Sequence, residues 1–95
     1  MHRLRPLLVA LPIALLSCTP GPDRVCAREA NLTAESLTKR GLMVTDDDKR
    51  QLIDRCTARM EKTRSDNSDR YKCQAKCVMD AKERDEIEPC SKGCP

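Results

Sequence analysis

The sequence predicts an all-α protein: a small, disulfide-stapled three-helix domain behind a cleavable leader. Three observations predict it. The first is a basic and apolar N-terminal stretch. The second is apolar residues recurring at helical spacing through segments that are otherwise charged. The third is cysteine usage, 7 in 95 residues, against a single aromatic side chain, Tyr71. With 35% charged residues and neither Trp nor Phe, the chain has little with which to build an apolar core, and such composition alone resembles that of disordered segments. Cys26, Cys56, Cys73, Cys77, Cys90 and Cys94 argue otherwise, because bridges replace missing burial in small exported domains.

The leader comes first. Met1-His2-Arg3-Leu4-Arg5 is positively charged, and residues 6–16 form an apolar run. That run is too short to span a hydrocarbon layer of roughly 30 Å as a helix, so it reads as a secretory signal. Its end, Leu15-Leu16-Ser17-Cys18, resembles the lipobox of bacterial lipoproteins. The resemblance implies diacylglycerol on the Cys18 sulfur, cleavage before Cys18 and acylation of the new amino group. Thr19 takes the place where Asp retains many Gram-negative lipoproteins at the inner membrane, so an outer-membrane destination is expected. The domain plan is therefore a signal peptide over residues 1–17, a lipidated Cys18 with a short tether over 18–22, and a helical domain over 23–95.

The mature chain is nearly neutral. Without Arg3 and Arg5 the 18 basic residues become 16, against 15 acidic ones. A nucleic-acid partner is not indicated, since basic patches with aromatic stacking platforms are missing.

Within residues 23–95 each helix has its own signal. The first is expected over residues 23–39, with Val25, Cys26, Ala30, Leu32 and Leu37 as its apolar stripe and Gly41 as its stop. The second follows Thr45, whose hydroxyl is a capping group, and Asp46-Asp47-Asp48 favour the positive end of the helix dipole. Leu52, Ile53, Cys56 and Met60 then recur at helical spacing. The three aspartates lack the glycine and the bidentate acid of a calcium loop, so capping accounts for them better. A polar break is expected over residues 65–69, then a third helix over residues 69–82 with Cys73, Cys77, Val78 and Ala81 on one side. Gly93 argues against a further long helix.

Spacing of four puts Cys73 and Cys77 one turn apart on one face, and Cys90 and Cys94 repeat that spacing. If residues 78–89 fold back, Cys77 faces Cys90 and Cys73 faces Cys94, leaving Cys26 for Cys56. Six cysteines permit fifteen connectivities. The nested set Cys26–Cys56, Cys73–Cys94 and Cys77–Cys90 is the expectation, with the crossed pairing Cys73–Cys90 and Cys77–Cys94 as its nearest competitor.

Two resemblances meet at these residues. Cys73-x3-Cys77 and Cys90-x3-Cys94 are similar to the twin CX3C motif of the small Tim chaperones, over residues 73–94; this implies a helical hairpin braced by nested bridges. Cys26, the run 47–56 ending in Cys56, and Cys77-x12-Cys90 resemble small cysteine-rich helical lipoproteins of predatory and myxobacterial-type bacteria. That likeness implies a fold and no activity.

For function, the sequence favours a non-enzymatic module, tethered to the membrane through its lipid and binding an envelope or extracellular protein, with no cofactor and no metal. His2, the sole histidine, leaves with the leader, which removes histidine-based catalysis. The alternative makes Cys73, Cys77, Cys90 and Cys94 a four-thiolate metal site or a thiol-redox centre. An oxidising export route favours bridges over thiolates, and the Cys-x-x-Cys of thiol–disulfide catalysts is missing. A surface-presented toxin or inhibitor is a third class, without an exposed aromatic anchor to single it out.

Overall fold

The computed structural model describes residues 18–95; the expected signal peptide, including Leu15, Leu16 and Ser17, lies outside the described residues. Four helices follow in order: α1 (Pro22–Lys39), α2 (Asp46–Asp66), α3 (Ser68–Asp80) and the short α4 (Ile87–Lys92), the last preceded by a 3₁₀ turn over Arg84–Glu86. No strand occurs among the described residues. The class is all-α and disulfide-stapled, with three long helices and a fourth of less than two turns.

Local chemistry sets the ends of α1. Pro22 occupies the first turn, where its missing N–H costs nothing. At the other end Gly41 N–H donates to Thr38 and Leu42 N–H to Leu37, at 2.9 and 3.0 Å. This is the Schellman pattern, and it places Gly41 at φ +86°, where a Cβ would be strained. Gly41 is thus a stop through its backbone, two residues past the last helical one.

α2 begins with a reciprocal cap. The Thr45 hydroxyl accepts from the Asp48 N–H at 3.0 Å, and the Asp48 carboxylate accepts from the Thr45 N–H at 3.1 Å. The helix runs on to Asp66, through the stretch expected to be a loop. The break shrinks to Asn67, whose extended backbone ends α2 while its side chain accepts from the Arg70 N–H to start α3. Polar residues are compatible with an exposed helix; what ends it is one residue with the right cap on each side. α3 then stops at Asp80, two residues before the expected end, and Ala81 turns extended and buried.

The core is thin, and its largest fully buried side chains are small ones, Val25, Cys26 and Val78. Val25, Cys26 and Leu32 of α1 meet Cys56 and Met60 of α2, Tyr71, Ala75 and Val78 of α3, then Ala81 and Ile87, with Ile53 and Met79 packed at its margin. Leu52 and Leu37 are only half-buried, so the apolar stripes are narrower than the sequence suggests. Polar connections between elements, part-buried or at the surface, supplement them. The Arg28 guanidinium donates to the Ala81 carbonyl at 2.7 Å, placing positive charge at the C-terminal end of α3, where carbonyls lack helical partners. Arg59 pairs with Glu29 at 3.2 Å, joining α1 to α2.

Candidate functional site

Two places carry the residues singled out by the sequence, and a third is a surface groove. The first is the cysteine ladder. Cys26 and Cys56 are bridged with Cα atoms 5.6 Å apart, deep between α1 and α2. Cys73 is bridged to Cys94 and Cys77 to Cys90, with Cα separations of 5.7 and 5.8 Å. Because 73 meets 94 while 77 meets 90, α4 runs back along α3. The turn that permits this is residues 81–86, held where the Glu86 carboxylate accepts from the Lys82 N–H at 2.9 Å. Pro89 does not end the chain's helical course; it lies in the first turn of α4, where its missing donor is not required.

The Sγ atoms of Cys73, Cys77 and Cys94 lie within 4.8 Å of one another. In the bridged form Cys73 and Cys94 are bonded to each other and Cys77 to Cys90, and such sulfurs are poor metal ligands, which need thiolate. Opening both bridges would release four thiols from one small region. An open hollow of about 360 Å³ adjoins them, lined by Lys76, Asp80, Ala81 and Glu86 together with Cys73, Cys77 and Cys90.

The second place is the start of the described chain. Cys18 and Thr19 are exposed. Pro20 is not a slack tether residue: the Tyr71 hydroxyl donates to its carbonyl at 2.6 Å. Tyr71 itself is buried in the core, with the Arg64 guanidinium 5.7 Å from its ring centroid. Burial holds the phenol above its ordinary pKa, Arg64 opposes that by favouring tyrosinate, and Asp23 adds to it. Neither the Tyr71 contact to Pro20 nor the Arg28 contact to Ala81 is legible in the sequence; the one available signal for Tyr71 is that it is the sole aromatic residue.

The third place is a groove of about 630 Å³ between the C-terminal half of α1, the 3₁₀ turn and α4. Arg40, Arg84 and Lys92 bring positive charge to it, Asp85 and Glu88 negative charge. It is broad and open and does not enclose a small substrate.

No protein-family model, no curated protein and no solved structure matches this chain. The fold and its bridges by themselves define a class: a small all-α domain whose stability is shared between a thin core and three disulfides. Those disulfides indicate an oxidising, exported environment. No helix of the described residues is long and apolar enough to cross a membrane.

Proposed function

We propose that the protein is a lipid-anchored lipoprotein of the bacterial envelope, destined for the outer membrane, that acts as a non-enzymatic binding module for another envelope or extracellular protein. The observation that carries this reading is Cys18. It follows a basic and apolar leader at the end of Leu15-Leu16-Ser17-Cys18, and it stands exposed immediately ahead of a stapled domain. The likeness to small helical lipoproteins of myxobacterial-type bacteria supports the same assignment. Acylation at two or three positions gives firm anchoring, because a single chain is marginal. Bridges keep the surface of the domain in one shape, which lowers the ordering cost of binding a partner.

The decisive variant is Cys18→Ala. It should leave a precursor that retains its leader and carries no acyl chain, read by intact mass, and its sorting is read by fractionation. A variant processed and sorted like the wild type would refute the anchor. The partner is sought by crosslinking the native lipoprotein in its cell and identifying what is attached.

The closeness of the Cys73, Cys77 and Cys94 sulfurs favours a second reading, a four-thiolate metal or thiol-redox lipoprotein that uses Cys90 as its fourth group. Intact mass under non-reducing conditions separates the two. Three bridges make the chain lighter by two hydrogens each, whereas free thiols or bound zinc support the second reading.

A further inference from the structure

Tyr71 lies where the N-terminal residues meet the folded body. It is 2% exposed, near the start of α3, and its hydroxyl holds the Pro20 carbonyl at 2.6 Å. Pro22, two residues on, is buried and opens α1. From Pro20 onward the backbone therefore belongs to the body, and Thr19 alone separates it from Cys18. Two residues reach at most about 7 Å.

Arg64 is exposed, with its guanidinium 5.7 Å from the Tyr71 ring centroid. No carboxylate of the described residues pairs with it, while Asp66 nearby is taken by Lys62 at 2.9 Å. Its charge thus stands beside the point where the chain leaves the body toward Cys18. The opposite end of the molecule is equally defined. α1 has 18 residues, a length of about 27 Å at 1.5 Å per residue. Beyond it the loop over residues 41–44 exposes Leu42 and, at 87%, Met43.

We propose that Tyr71 latches the N-terminus to the bundle, so that the domain sits on the bilayer by this end, with Arg64 against lipid phosphate and the 41–44 loop directed away. The docking rests on the acylation of Cys18 argued above; the latch itself does not. Lipid held on so short a leash keeps the latched end within the headgroup layer. There a guanidinium has phosphate oxygens to which it can donate in pairs. Asp23 and Asp66 keep this end from being a strongly basic patch, so the contact follows from enforced proximity and not from long-range attraction. The same orientation is therefore expected on zwitterionic and anionic phospholipid.

The test uses the mature lipoprotein in nanodiscs of phosphatidylethanolamine and phosphatidylglycerol containing a small share of lipid with a gadolinium-chelate headgroup. Amide signals of Thr19, Gly21, Asp23 and Arg24 and of residues 62–72 should be broadened several-fold more than those of 41–44. In Tyr71→Phe, which keeps the ring, the two ends should converge. A glycine–serine insertion after Thr19, which lengthens the leash without touching the core, should do the same. Arg64→Gln should lessen the broadening at 62–66 and leave the signals of Thr19, Gly21, Asp23 and Arg24 unchanged. Equal broadening of both ends in the wild type, or an Arg64→Gln pattern identical to it, overturns the docking. The latch is read separately, in the full chain, by amide exchange at Val25, whose N–H donates to the Gly21 carbonyl at 3.1 Å just after the latched residue: Tyr71→Phe should speed it about tenfold, corresponding to the loss of one net hydrogen bond, and unchanged exchange overturns the latch. Intact mass of the same sample reports the acyl chains on Cys18. If they are missing, the lipoprotein reading and the docking fall together, while exchange still decides the latch.

Discussion

At the residue scale, the molecule leans on polar side chains that reach across the chain. Arg28 satisfies the buried end of α3 from a position 53 residues away, and Tyr71 reaches 51 residues back to Pro20. Arg28→Ala should therefore destabilise the domain by about 1–2 kcal/mol, since a charged donor leaves a carbonyl behind; chemical denaturation measures this. Tyr71 gives a second prediction, in pH. Its native pKa is raised above the ordinary value of about 10, so the native state keeps the phenolic proton where the unfolded chain has lost it. The associated stability is fully present below pH ~10 and is lost as pH rises through the higher native value. As Tyr71 is the sole aromatic residue, tyrosinate absorbance reports it alone. The folded chain should titrate at higher pH than the reduced, unfolded chain, and identical midpoints would contradict the burial argued for it.

At the scale of the element, caps decide more than stripes. Thr45 and Asp48 satisfy each other's backbone at the start of α2, a helix that buries only Cys56 and Met60 fully. Thr45→Ala should cost about 1 kcal/mol, seen as a lower denaturation midpoint with an unchanged slope; Thr45→Ser should restore most of it. Asn67 plays two parts, closing α2 and capping α3, so a single residue ends one helix and starts the next. The position of Thr45 was legible because a hydroxyl followed by acids is a local signal. The end of α2 was not, because a run of polar residues fits both an exposed helix and a loop.

At the scale of the whole molecule, stability is divided between a thin core and the bridges. Cys26–Cys56 closes the longest interval, 30 residues, against 21 and 13 for the nested pair. In the chain-entropy account a loop of that size contributes about 3.6 kcal/mol, and no other bridge constrains the same stretch. Replacing both Cys26 and Cys56 by Ala should thus lower the melting temperature more than replacing Cys77 and Cys90, whose loop lies inside that of Cys73–Cys94. Full reduction should leave the domain largely unfolded, with loss of its far-ultraviolet helical signal; cooperative melting that survives reduction would show that the core alone suffices.

The sequence by itself determined the class of this protein. Helical spacing, the Thr45 cap, the Gly41 stop and six cysteines in a chain with one aromatic are local or compositional signals, each with its own physical cause. Tertiary structure alone decided the rest. It carried α2 through to Asp66, added α4 with Pro89 in its first turn, brought Arg28 to Ala81, and joined Pro20 to Tyr71 so that the expected tether became part of the body. These contacts link residues distant along the chain, and their energies depend on which groups are buried together. A linear pattern of residue types holds no record of that, because the partner of a buried donor or carbonyl is chosen by packing.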